Sequence, residues 1–163
     1  MGLFKRKRRI LFVCTENLCR SPMAEGLLRH YFREMGLDGD FEVASAGTTA
    51  SQPGRRPDPR AQKVAGRAGI DISRNRAQRV TDRDFERSDM IVAMDENNLR
   101  ELLRNCPTEA RDKLSLLLNY HPDGDLGEVP DPYYGSADGF QEVFEIIDAA
   151  VYGLVPHVSA RFA

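Results

Sequence analysis

Five consecutive apolar residues at 10–14, ILFVC, constrain this chain more than any other feature. A run that short, partly β-branched and aromatic and without alternation, suits a strand covered on both faces. Such a strand belongs to a sheet sandwiched between helices. The run stops at the polar segment TENLCR (15–20). Ser21 and Pro22 then supply an N-cap and a first-turn proline, and Met23, Leu27, Leu28, Tyr31 and Phe32 recur at helical spacing up to Gly36.

The strand, loop and helix alternation continues. Residues 41–46 read as a second strand, and GTTASQPGRRPDP (47–59) as a long surface loop. A helix is expected over 59–68, closed by Gly69, and a buried strand over 89–95. Asp95 then caps a helix running to Cys106 before Pro107. A fourth strand is expected over 113–118, an extended loop over 128–136, and a terminal helix over 140–155. The fold expected is α/β: one three-layer domain over 1–163, a four-stranded parallel sheet with helices on both faces. With 163 residues and 41% of them hydrophobic, the chain is long enough to build that core once.

Charge narrows the partners. The formal net charge of −2 leaves no global field to attract nucleic acid or an anionic membrane. The KRKRR run at 5–9 reads as a solvated basic lead-in to the first strand. No apolar run approaches the roughly 20 residues that span a bilayer, and the N-terminus lacks the pattern of a secretory signal, so a cytoplasmic protein is expected. Its three cysteines, Cys14, Cys19 and Cys106, form no CxxC pair and have no zinc-spaced histidines. Neither a metal nor a cofactor is expected.

In an open α/β sheet, ligands bind at the carboxyl ends of strands, where Cys14 stands. The loop after it (Thr15, Glu16, Asn17, Leu18, Cys19) leads into Arg20 and a helix N-terminus, whose free N–H groups favour an anion. GxxxxGK[ST] and GxGxxG are both absent; the spacing is Cys-x5-Arg. With 19 arginines in the chain, that spacing alone would arise about one time in eight, so its context carries the argument. A curled loop would set the thiol beneath a phosphorus atom, with the guanidinium gripping two oxygens. A thiol of pKa near 8.5 is only about 3% ionised at pH 7, and attack would need it shifted down by about two units. Departure of the ester oxygen needs a proton donor. Asp131, held between Pro130 and Pro132 and followed by Tyr133 and Tyr134, is the candidate; the tyrosines could wall a slot for an aromatic substrate.

At these residues the chain resembles the low-molecular-weight protein tyrosine phosphatases, over nearly its whole length. VCTENLCRSP, SAGT (45–48), PDPRA (57–61), MDENN (94–98) and DPYYG (131–135) occur in that family's order. The resemblance implies two-step hydrolysis with Cys14 as nucleophile, Arg20 as phosphate clamp and Asp131 as acid and then base. It implies that Asn17 holds a strained loop through Ser21 and Ser45, that Ser21 bonds the cysteine sulfur, and that Cys19 can pair reversibly with Cys14. The implied partner is a phosphotyrosine protein, with a bacterial tyrosine kinase as a candidate.

Three positions depart from the family pattern. Glu16 replaces a glycine and is expected to point to solvent. Asn75 replaces a histidine and is expected to join the loop network by a hydrogen bond to Asn17 or its neighbour. Ser51 stands near the usual place of an aromatic wall. Leu18 is bulky, as in tyrosine-specific members, whereas phosphoarginine-specific relatives carry a small residue. The alternatives are a phosphoarginine phosphatase or arsenate reductase on the same scaffold, or a noncatalytic phosphate-binding module.

Overall fold

The computed structural model describes residues 5–133 and 135–163. Its centre is a parallel sheet of four strands, β1 (Arg8–Cys14), β2 (Phe41–Gly47), β3 (Met90–Ala93) and β4 (Leu114–Leu116), in the order β2-β1-β3-β4. Five α-helices cover it: α1 (Arg20–Glu34), α2 (Pro59–Arg67), α3 (Asp82–Arg87), α4 (Glu96–Asn105) and α5 (Ala137–Arg161).

Side-chain alternation along β1 divides the core in two. Ile10, Phe12 and Cys14 face the larger cluster, which contains residues of α1, α2 and α5; Leu11 and Val13 face the smaller one, with Phe85, Ile91, Leu102 and Cys106. From Arg9 to Cys14 the strand is buried throughout, and truncating Phe12 to alanine would cost about 3–5 kcal/mol. The four parallel strands and their helical layers match the expected fold. In register, Cys14 pairs with Gly47 and Val13 with Ala93, so three strands end together and their following loops meet.

Besides β4, which keeps only Leu114–Leu116 of the expected 113–118 before a 3-10 turn over Leu117–Tyr120, the elements depart from expectation in four places. The first helix begins at Arg20 with Cys19 as N-cap. Pro22 fits within its first turn because the first four N–H groups of a helix have no internal partner, and the Ser21 hydroxyl serves the site instead of capping. Helix α3 was not expected; it is fixed by a reciprocal bond between Thr81 and Asp84 rather than by an apolar stripe. Helix α5 starts three residues early and runs six past Val155, through Pro156. The proline removes the donor to the carbonyl of Tyr152, a residue that is itself 60% exposed.

The fourth difference is the basic run. Arg8 and Arg9 belong to β1, with Arg9 buried against Asp84 and Ser88, while Arg6 and Arg8 converge on Asp89. Those contacts and the Arg9 amide hold the Asp89 carboxyl below its ordinary pKa despite its burial. By length and composition α5 could cross a membrane, with a mean hydropathy of 1.3 over its most apolar window. Its Phe140, Phe144, Ile147, Val151 and Leu154 instead form part of the larger core.

Candidate active site

The loop between β1 and α1 folds back over the end of the sheet because its backbone is pinned from β2. Thr48 N–H donates to Cys14 O at 2.9 Å, and Thr49 and Ala50 both donate to Thr15 O. Gly47 makes this closeness possible, since a Cβ there would lie 2.6 Å from Thr15 O. The loop's turn is completed at Asn17, whose φ of +60° lies in the left-handed region that asparagine tolerates better than most residues.

Asn17 is the hub. Its side-chain amide donates to Ser21 Oγ at 2.8 Å and Ser45 Oγ at 3.0 Å, and its carbonyl accepts from Gln78 N at 3.0 Å. Its own N–H points at Cys14 Sγ, 3.3 Å away. Ser21 Oγ lies 3.0 Å from the same sulfur. Because Ser21 already accepts from Asn17, its one hydrogen is left for Sγ, with only Ala46 O, at 3.4 Å, competing. Two donors thus converge on the sulfur, beside the N-terminus of α1.

Asn75 does not join this network. Its amide nitrogen is buried without a hydrogen-bond partner, and the place expected of it is taken by Gln78, which also donates from its side chain to Ser45 O. The physical reason lies in the backbone: Gly54 donates to Ala77 O and Ala77 to Arg55 O, and this pairing delivers the next N–H, that of Gln78, to Asn17.

Arg20 is buried and held through both terminal nitrogens. One terminal nitrogen, Nη1, donates to Asp95 Oδ2 at 2.6 Å and Val129 O at 3.1 Å; the other, Nη2, makes longer contacts to Asp131 Oδ2 (3.4 Å) and Thr15 Oγ1 (3.5 Å). Burial works against the cation, but Cys14, Asp95 and Asp131 outweigh it and hold the guanidinium above its ordinary pKa. Nη1 is therefore an anchor, and Nη2 is the arm available to an incoming anion. Asp95 caps α4 as expected, Oδ1 accepting from Asn98 N, and does a second job that its sequence position did not reveal: Oδ2 fixes Arg20. Asn98 in turn donates to Thr15 Oγ1. The available signal was a carboxylate just beyond β3, the strand next to β1.

Cys14, Thr15 and Arg20 line a cavity of about 300 Å³. Asp131 and the half-buried Tyr133 stand on one side, and Glu16, Ser51 and Gln52 on another. Among the described residues, four larger hollows, of about 320 to 430 Å³, contain no cysteine, so chemistry rather than size picks out this one. Asp131 is exposed, and its Oδ1 accepts from Tyr133 N at 3.0 Å. Leu18 and Cys19 are buried. Burial pushes the Cys19 thiol far up, with Asp58 adding to the effect, so Cys19 is a neutral thiol beside Cys14. Tyr134 lies outside the described residues.

Glu16 is not simply turned to solvent as expected. Its Oε2 accepts from both the N–H and the hydroxyl of Ser51, each at 2.8 Å. Glu16 and Ser51, two of the three positions singled out in the sequence as departures, are thus in contact with each other. Among the described residues no group of three or more His, Cys, Asp or Glu is placed to hold a metal ion.

Comparison with known proteins points the same way. The family model described as low molecular weight phosphotyrosine protein phosphatase matches residues 9–162. A low molecular weight protein-tyrosine-phosphatase of Streptomyces coelicolor is 44% identical over 155 residues, covering 92% of this chain and 93% of that protein. A low molecular weight phosphotyrosine protein phosphatase of Schizosaccharomyces pombe is 40% identical over 141 residues, covering 85% and 90%. The crystal structure of a protein tyrosine phosphatase from Entamoeba histolytica superposes with a TM-score of 0.92 at 32% identity, covering 96% of this chain and all of that one.

Proposed function

The chain belongs to the low molecular weight phosphotyrosine protein phosphatase family, and on that premise we propose that it hydrolyses phosphotyrosine in proteins through a phosphocysteine at Cys14. The observation that carries this reading is the convergence on Cys14 Sγ of Asn17 N–H and Ser21 Oγ, inside a cavity that Arg20 and Asp131 also line.

The sulfur attacks phosphorus in line; the S–P bond forms as the P–O bond to the tyrosyl oxygen breaks. Nη2 of Arg20 and the loop N–H groups take the charge on the equatorial oxygens, and Asp131, the weaker of the two carboxylates on Arg20, gives way to the phosphoryl group. Asp131 protonates the departing phenolate, then takes a proton from the water that cleaves the S–P bond, returning phosphate and the thiolate. Ser21 steadies the sulfur as it leaves. Thr15, Glu16, Leu18 and Cys19 complete the cradle, and Tyr133 lies along the substrate ring. Asn17 and Ser45 keep the loop in shape.

The substrate is a phosphotyrosine protein, with a bacterial tyrosine kinase as a candidate, and the three free thiols suit the reducing cytoplasm. The bulk of buried Leu18 favours a flat phenyl ring over phosphoarginine. Cys106 packs in the smaller core across the sheet from Cys14, which disfavours the thiol relay of an arsenate reductase. Turnover of phosphotyrosine, phosphoserine and phosphoarginine peptides tests the reading, with Cys14→Ser as control. Release of phosphate from phosphotyrosine alone, abolished by the substitution, is the expected result. Activity that survives Cys14→Ser, or a preference for another phosphoamino acid, overturns it.

A further inference from the structure

Arg60 stands outside the cavity and was singled out only as part of a motif, yet its contacts converge on the segment that carries Asp131. Asp58, buried at the N-cap of α2, accepts from Arg60 N at 2.8 Å and Nε at 3.0 Å through Oδ1, and from Nη2 at 2.9 Å through Oδ2. This two-point grip sets the plane of the guanidinium. The plane rests on the Phe140 ring, 4.5 Å from its centroid, and the remaining hydrogens reach across to Tyr133 O at 3.0 Å and Gly135 O at 3.3 Å.

Both ends of this chain of contacts touch the reaction. Asp58 N donates to Leu18 O of the phosphate loop at 2.9 Å. Tyr133, whose carbonyl Arg60 holds, donates its own N–H to Asp131 Oδ1. A single path of hydrogen bonds therefore runs from the loop beneath the phosphate through Asp58 and Arg60 to the carboxyl of Asp131. An arginine side chain that is 39% exposed is not needed to fill a core, and what it fixes is the spacing between the two loops.

We infer that Arg60 is a positioning residue for the acid step: it holds the backbone at Tyr133 and Gly135 so that Asp131 meets the leaving oxygen of a substrate seated over Cys14. The inference rests on the reading of Asp131 as the general acid. Displacing a catalytic group by about 1 Å can cost on the order of 100-fold, and the loss should appear only where a proton is needed.

The test compares kcat/KM for p-nitrophenyl phosphate, whose leaving group departs without help, with that for phenyl phosphate and a phosphotyrosine peptide, whose leaving phenols have pKa values of about 10. For Arg60→Ala we expect a fall of about 10- to 100-fold on the two poor leaving groups and less than about 3-fold on the good one, with inhibition by inorganic phosphate unchanged. Arg60→Lys, which keeps the charge but cannot reach both carbonyls, should show the same pattern in weaker form and serves if the alanine variant does not fold. Asp131→Asn should show it in stronger form, and adding Arg60→Ala should then cost little more. A uniform loss across leaving groups, weakened phosphate inhibition or no loss at all overturns the role of Arg60. Absence of any leaving-group dependence in Asp131→Asn overturns the reading of Asp131 instead.

Discussion

The two halves of the site are built differently. Around the nucleophile, Cys14, Asn17, Ser21 and Ser45 are all buried and linked side chain to side chain, so that moving one disturbs the rest. Around the acid, the Asp131 side chain is 44% exposed and its segment is held mainly through backbone: Val129 N to Met94 O, Arg20 to Val129 O, and Arg60 to Tyr133 O and Gly135 O. The chemistry explains the contrast. A charged sulfur gains from fixed donors away from water, where they are worth more and need no reorganisation. A group that must give a proton to one molecule and take one from another needs room and solvent. One half is preorganised; the other is aimed.

The contrast can be broken at several points. The largest effect should come from Arg20→Lys, because a single ammonium cannot hold Asp95 and a phosphoryl oxygen at once. A fall in kcat/KM of about 100- to 1,000-fold, with loss of phosphate inhibition, is expected on good and poor leaving groups alike. Next, Asn17→Ala should lower stability by about 3–4 kcal/mol, the sum of three lost hydrogen bonds and the left-handed backbone. Asn17→Gly relieves the backbone alone and should recover roughly 1 kcal/mol of that in chemical denaturation without restoring activity. Equal stability of the two variants would mean that Asn17 acts through its bonds only.

A smaller effect is expected at the strut. Hydrogen bonds from Arg60 hold the Asp58 carboxyl below its ordinary pKa against the opposing pull of burial. Because the folded value is depressed, the stability this contributes is complete above the unfolded pKa of about 3.9 and is lost as pH falls through the folded value. Asp58→Asn should therefore lower Tm by about 2–4 °C from pH 5 to 8, and the gap should close below about pH 4. The smallest change belongs to Glu16→Gln: with the carboxylate already turned to Ser51, KM should fall by less than about 3-fold. A fall of tenfold or more would show that its charge opposes the phosphate.

What could be read in the sequence was local or periodic. The unbroken apolar run of β1, the alternation of strands with helices and the spacing from Cys14 to Arg20 each declare themselves within a few residues. The six residues of α3 are too short to show a period, and its reciprocal cap uses aspartate where glutamate or glutamine is the usual sign. The partnership of Asn17 with Gln78 joins residues 61 apart and depends on a backbone amide that carries no mark of identity. Asn75 was the better-looking candidate because a side chain can be seen in a sequence, whereas the direction of an N–H cannot. Asp95 and Arg60 escaped for the same reason: their partners lie 75 and 73 residues away.

The double-sided packing of β1 has a last consequence, for what lengths the chain can tolerate. Alternate residues of that strand serve opposite cores, so inserting or deleting one between Arg8 and Cys14 would exchange the two sets and turn the thiol to the wrong side of the sheet. The count of residues there is a parity that no loop can absorb. The stretch from β4 to α5 obeys no such rule, and its length can change provided the carboxylate still arrives.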